Sequence, residues 1–176
     1  FNRIANIYGL FYNLQVKNYR RILNNVKSEF DISVNQSAID VGCGTGALCK
    51  VLQEHGLAMT GLDPAETMLA IAAKKTRKTK PFEPAIQFVQ GDVLEGLPFK
   101  NQSFDIAITS YVAHGLMLLE RISLYQEMQR AARHFNFISS IKVELSENFG
   151  DLRVIRTGPR SAMYICNIEQ EKTDAS

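Results

Sequence analysis

The stretch Ala38-Ile39-Asp40-Val41-Gly42-Cys43-Gly44-Thr45-Gly46 constrains this chain more than any other. A short apolar run around an acidic residue reads as a buried strand. Glycine at every second position then reads as a loop, and a helix start follows. A buried strand running through a glycine loop into a helix is how doubly wound α/β proteins present a nucleotide-like ligand to a helix N-terminus. The spacing is GxGxG, not the GxGxxG of dinucleotide-binding loops. Asp40 precedes the first glycine by two residues. Its charge would repel a pyrophosphate and attract a ligand carrying an ammonium group. One glycine would serve a tight turn; three in alternation favour a ligand that needs close approach to bare backbone.

The remaining chain alternates β and α elements. Residues 1–30 read as a helical cap, with Leu10, Leu14, Ile22, Leu23 and Val26 as apolar positions and Tyr8, Phe11, Tyr12 and Tyr19 between them. The pattern predicts strands at 37–41, 58–62, 86–90 and 104–109. It predicts helices from Gly46 to His55, from Pro64 to Lys75 and over 116–133. The chain closes on a hairpin, Leu152–Thr157 and Ser161–Asn167, around a Gly158-Pro159 turn. Short connections between alternating elements imply a mainly parallel sheet with right-handed crossovers. With 176 residues, 45% of them hydrophobic and 22% charged, one domain spanning 1–176 is expected. A net charge of +2 demands no polyanionic partner. Cys43, Cys49 and Cys166 form no CxxC pair and have no histidine cluster nearby. That argues against a disulfide framework and against a metal site, and it fits a reducing compartment. No apolar run approaches the ~18 residues of a membrane span, and nothing reads as a signal peptide, so cytoplasm is the expected location. The chain opens on Phe1 rather than Met, so the native N-terminus is expected upstream.

One junction breaks the pattern. After the helix ending near Arg133, a turn and a fifth strand are due. Instead Ala131-Ala132-Arg133-His134 runs straight into Phe135-Asn136-Phe137-Ile138, which reads as part of a later helix. The fifth strand is therefore expected to be absent. Roughly 30 residues, a strand-plus-helix unit, would be missing at 134/135. The alternative is a true deletion with a shortened sheet.

The loop from Asp40 to Gly46 resembles motif I of class I S-adenosylmethionine (SAM)-dependent methyltransferases of the small-molecule kind, acidic-x-Gly-x-Gly-x-Gly, at every specified position. The resemblance covers about residues 36–134, with a hairpin match at 151–167. It implies a doubly wound, Rossmann-like sheet of seven strands with an antiparallel C-terminal strand. It also implies SAM as methyl donor and S-adenosylhomocysteine (SAH) as product. SAM carries an ammonium, a sulfonium and no phosphate, which suits Asp40. Asp63, closing the second strand, is placed to accept hydrogen bonds from the ribose hydroxyls; capping the helix at Pro64 is its other role. Met68 is placed to pack on the adenine or to serve the core. Asp92 and Val93 follow the third strand, where a carboxylate could accept from the adenine amino group. An ordinary Asx turn explains them as well. Thr109 and Ser110 end the fourth strand, where open α/β sheets put ligands. Asp105 occupies a position whose family role is structural. Cys43 needs only to be small.

A methyl on sulfonium needs alignment and exclusion of water rather than a fixed nucleophile. No universal catalytic residue is therefore expected. His114, after the fourth strand, is the candidate base, against a packing role. Tyr8 and Tyr12 would cover the cofactor or simply pack their helix. Lys74, Lys75, Arg77, Lys78 and Lys80 form a basic run at a helix end. Phe82 is the one aromatic close by, so the run reads as a solvated helix terminus rather than a nucleic-acid surface. A small-molecule acceptor is expected. Two alternatives remain: a non-catalytic SAM or SAH binder, and a nicotinamide-dependent oxidoreductase, which the glycine spacing and Asp40 disfavour.

Overall fold

A computed structural model describes residues 2–26, 36–77, 83–139, 152–158 and 161–167. The ends of the expected helical cap, the basic residues Lys78 and Lys80 with Phe82, and Pro159 of the hairpin turn lie outside the described residues. The elements run in the order α1 (Asn2–Val26), β1 (Ser37–Val41), α2 (Ala47–Gln53), β2 (Ala58–Asp63), α3 (Glu66–Thr76), β3 (Gln87–Gln90), β4 (Phe104–Ser110), α4 (Leu118–Ala131), β5 (Ala132–Ser139), β6 (Leu152–Gly158) and β7 (Ser161–Asn167). Single turns of 3₁₀ helix lie at Val93–Glu95 and Val112–Gly115.

Five strands lie parallel in the order β3-β2-β1-β4-β5. β7 pairs antiparallel with β5, and β6 antiparallel with β7. β1 is central and buried on both faces, which is why its sequence reads as an apolar run rather than an alternation. Ala38 joins the core beneath α1 and α2, with Ile106 and Ile108 of β4. Ile39 and Val41 face the other way, onto Leu124 and Met128 of α4. Asp40 follows the parity of Ala38 and so points toward α1 and α2. On α1, Tyr12, Val16, Tyr19, Leu23 and Val26 recur at helical spacing and bury one stripe in the same core. Arg20 of α1 clamps Glu54 after α2 with two hydrogen bonds of 3.0 and 2.8 Å.

The junction at residue 134 differs from the sequence reading. The fifth strand is present. β5 leaves α4 without a turn, because Ala132 is already extended at φ −137° and ψ 160°. It pairs with β4 from Phe104↔Ala132 to Ser110↔Ile138. Phe135-Asn136-Phe137 alternates with period two and is rich in strand-forming residues, so it suits a strand better than the helix expected there. Pairing also covers the otherwise open edge of β4 and gives β7 its neighbour. Two smaller differences concern helix starts. Pro64 lies outside α3, which begins at Glu66 with Ala65 as N-cap. α4 begins at Leu118, where Glu120 Oε2 accepts from Met117 N at 2.8 Å.

Asp105 bears out its structural role. Its Oδ2 accepts from both the amide and the hydroxyl of Ser37, each at 2.9 Å, and pins the start of β4 to the start of β1. Replacing Asp105 by Ala should therefore lower unfolding stability by about 1–3 kcal/mol, the cost of orphaning partly buried donors. Urea denaturation checks this; an unchanged midpoint would mean the pin carries no weight.

Candidate functional site

The glycine loop sits at the carboxyl end of β1, between β2 and β4. Gly42, Gly44 and Gly46 all hold positive φ, at 76°, 51° and 71°. Two of them are hemmed in. A Cβ on Gly42 would lie 2.3 Å from Val112 Cγ2, and one on Gly46 would lie 3.0 Å from Ala72 Cβ. Gly44 is different: nothing lies within 4 Å of where its Cβ would be. Backbone bonds hold the loop down. Gly42 N and Cys43 N both donate to Leu62 O, at 2.8 and 2.9 Å. Gly44 N donates to Asp63 Oδ2 at 2.8 Å, and Ala65 N donates to Asp63 Oδ1 at 2.9 Å. Asp63 thus ties the glycine loop to the turn after β2.

The loop floors a cavity of about 110 Å³. Asp40, Gly42, Cys43 and Gly44 line it together with Gln15, Tyr19, Ser110 and Tyr111. Asp40 is 1% exposed. Its Oδ2 accepts from Cys49 Sγ at 3.4 Å, and its Oδ1 has no partner. Burial pushes the Asp40 carboxyl up to about 7, against a lowering by the Cys49 bond and a small raising by Asp63. An acid raised above its ordinary value of 3.8 destabilises the fold when ionised. That cost is absent below about pH 4 and complete above about pH 7.

At the same cavity, Tyr19 Oη and Ser110 Oγ are 2.8 Å apart. Thr45 Oγ1 donates to Gln15 Oε1 at 3.0 Å, which joins the glycine loop to α1. Burial raises the Tyr19 phenol well above its ordinary range. Tyr111 holds φ 63° immediately after β4, a left-handed conformation uncommon for a bulky residue.

The structure thus brings together Asp40, Gly42, Cys43, Gly44 and Ser110 at one cavity. The other expected residues stand elsewhere. Gly46 caps α2. Thr109 is 2% exposed and donates its hydroxyl to Val41 O at 2.7 Å, so it braces β4 against β1. Tyr12 is buried with an unpartnered hydroxyl, its ring 5.7 Å from Lys75 Nζ, and its phenol is pushed up to about 12, chiefly by burial. Asp92 caps the 3₁₀ turn after β3 through Leu94 N at 2.9 Å, ahead of buried Val93. Pro64 and half-buried Met68 lie beyond Asp63 on the β2 side. His114 falls in the turn Val112–Gly115 after β4.

Sequence reasoning missed Gln15 and Tyr111, and it placed Tyr19 only among the aromatics interleaved between the apolar positions of the cap. The signal for Gln15 was available, since it lies one helical turn from Tyr19 on the same face. Nothing in the residue types announces Tyr111.

The chain matches the methyltransferase domain family over residues 39–135, more than half of its length, and it belongs to that family. It is a class I SAM-dependent methyltransferase domain, and its cofactor is SAM. A demethylmenaquinone methyltransferase of Shouchella clausii is 32% identical over 126 residues, 68% of this chain and 48% of that protein. A SAM-dependent methyltransferase of Aquifex aeolicus has the same fold at a TM-score of 0.66 and 17% identity, over 82% of this chain and 89% of that one. The magnesium protoporphyrin IX methyltransferase of Synechocystis PCC 6803, solved with SAM, superposes at 0.63 with 20% identity, over 76% and 71%. The chain spans between a third and a half of the length of the curated relatives it matches.

Gly42 and Gly44 should respond differently to substitution. Gly42→Ala drives a methyl into Val112 and should destabilise the fold, by about 1–3 kcal/mol. Gly44→Val meets no clash, so it should leave a folded protein, weakened by about 1–2 kcal/mol through strain at its positive φ, that no longer binds SAH because the side chain projects into open space above the loop. Thermal unfolding and calorimetry separate the two. SAH affinity at the normal level in the Gly44 variant would contradict the loop's role.

Proposed function

We propose that this domain transfers a methyl group from SAM to a small-molecule acceptor by in-line displacement. The observation that carries the reading is Asp40, a buried acid that lines the cavity under the glycine loop and whose Oδ1 has no partner. A fold tolerates such an atom where a ligand completes it, and the ammonium of SAM is a cation of suitable size. The residues present fit the cofactor: Asp40 offers the charge, and Gly44 leaves its approach open. When bound, SAM supplies a methyl group on a sulfonium that is already a good leaving group.

The chain's own contribution is to bind, orient and keep water out. Asp63 Oδ1 and Oδ2 each hold one backbone N–H and keep further lone pairs for the ribose hydroxyls. Asp92 and Val93 take the adenine end, with Pro64 and Met68 beside it and the carboxyl ends of β1, β2 and β3 in line beneath. Thr109 acts through β4 rather than by contact. α1 covers the amino-acid end. His114, on the turn after β4, is the residue to hold or move a proton on an acceptor that needs one. The seven-strand count with its antiparallel end, and the single domain over 1–176, belong to the same reading. A small acceptor is supported by the demethylmenaquinone and magnesium protoporphyrin IX methyltransferases among the relatives and structural neighbours. The basic run at the end of α3 adds little for nucleic acid, since Lys75 is already engaged with Tyr12. No helix among the described residues is long and apolar enough to cross a membrane.

Methyl-tritiated SAM, incubated with the protein and a whole-cell metabolite extract, should deliver label to a low-mass product. Label appearing only in RNA or protein would contradict the small-molecule reading. Affinity for SAH should also depend on pH through Asp40. A bound ammonium favours the ionised carboxylate, so affinity should rise by about tenfold in all from pH 6 to pH 8, most of it below pH 7. In Asp40→Asn the dependence should vanish. A flat profile in the native protein would remove Asp40 from ammonium binding.

A further inference from the structure

Eight large apolar side chains stand exposed among the described residues, and six of them fall on two segments beside the cavity. Phe11 and Leu14 lie on α1; Tyr111, Met117, Leu118 and Leu119 lie on the run from β4 into α4. Single exposed apolar residues are ordinary, whereas a concentration of them marks a surface that meets something. Met117 and Leu119 are each 76% exposed, and Phe11 is 61% exposed. Gln15 and Tyr111 both line the cavity. Phe11 lies one turn before Gln15 on α1, and Met117 follows Tyr111 after the short turn Val112–Gly115.

The charge on α1 narrows the partner. The helix contains Arg3, Lys17, Arg20 and Arg21 and no acid. Phe11, Leu14, Lys17 and Arg21 recur at helical spacing and form one exposed stripe. Arg20 is paired with Glu54. Arg21 leans on the neutral amide of Asn18 at 2.9 Å, and Lys17 has no ion pair among the described residues. At the other segment, Glu120 is turned back onto Met117 N at 2.8 Å. Exposed Phe, Leu and Met side chains edged by uncompensated cations complement an anionic lipid leaflet. The apolar side chains enter the acyl boundary, and the long cationic stems reach the phosphates. A second copy of the chain fits less well, since a symmetric contact through α1 would set cations against cations. Nucleic acid would use the cations and leave the aliphatic side chains in water.

We propose that this face docks on an anionic lipid surface, with α1 lying in the interface plane and Met117-Leu118-Leu119 as a second point of insertion. The docking goes beyond the methyl-transfer reading and does not depend on it. The contact is peripheral, and the cavity rim at Tyr111 turns toward the leaflet.

Flotation with sealed vesicles tests this, using phosphatidylglycerol and phosphatidylcholine in equal parts against phosphatidylcholine alone. Partition onto the anionic vesicles should exceed that onto the neutral ones by about tenfold, and should fall as steeply when salt is raised from ~0.1 M to ~0.5 M. The double variants Phe11→Ser, Leu14→Ser and Met117→Ser, Leu119→Ser should each lower partition by about tenfold. Lys17→Gln, Arg21→Gln should abolish the preference for anionic lipid; it removes charge alone and keeps the test standing should an apolar pair misfold. All six residues are exposed, so the thermal midpoint should hold in every variant. A native protein that floats with neither vesicle would overturn the proposal. Variants that partition like the native protein would do the same. Sedimentation of the native protein without lipid adds a further arm: a dimer dispersed by Phe11→Ser, Leu14→Ser, with no vesicle binding, would give the face to a second copy and overturn the lipid assignment.

Discussion

A carboxylate kept 1% exposed, with one oxygen unpaired, costs the ligand-free fold free energy. The penalty for an unsatisfied buried polar group is about 1–3 kcal/mol, and larger when the group is charged. Much of the structure is arranged around that one residue. β1 carries Asp40 at the sheet centre, where Ala38, Ile39 and Val41 are fully buried and fix its register. Asp63 pins the glycine loop against the turn after β2, so the backbone above Asp40 cannot settle onto the open oxygen. α1 is tied to the same cavity through Gln15 to Thr45 and through Tyr19 to Ser110. Cys49 gives the carboxylate one weak partner, which lessens the cost without filling the site.

All three glycines of the loop hold positive φ, so its backbone alone favours glycine at each, and packing adds a second requirement at two of them. Gly42 is required by Val112, and Gly46 by Ala72 and Phe88. Only Gly44 meets no protein atom, and it is there that a ligand has room to approach. The packing constraint and the binding constraint thus fall on different glycines of one motif, although the sequence shows them as equivalent.

Most of the parallel sheet and the glycine loop could be read from the chain, because buried parallel strands and Gly-x-Gly spacing are local signals. Strand β5 was not read. Ala132–Ser139 follows helix α4 without any turn residue to mark its start, so the short alternation Phe135-Asn136-Phe137 was taken for helix, and the pairing with β4 that fixes it is long-range. Within the site, Asp40 and Ser110 were legible from their positions at strand ends. Thr109 was misread because neighbouring strand residues point to opposite faces, and its hydroxyl is spent on Val41 O. Tyr19 read only as one of the aromatics interleaved in the helical cap; its polar end matters only once Ser110 is brought 2.8 Å from it.

The central claim is that the cavity over Asp40 takes a SAM-like ligand rather than a nicotinamide dinucleotide. Calorimetric titration of the protein with SAH and, in parallel, with NAD tests it most directly. The account predicts saturable micromolar binding of SAH and no heat from NAD. A folded protein that binds NAD, or that binds neither, would contradict it.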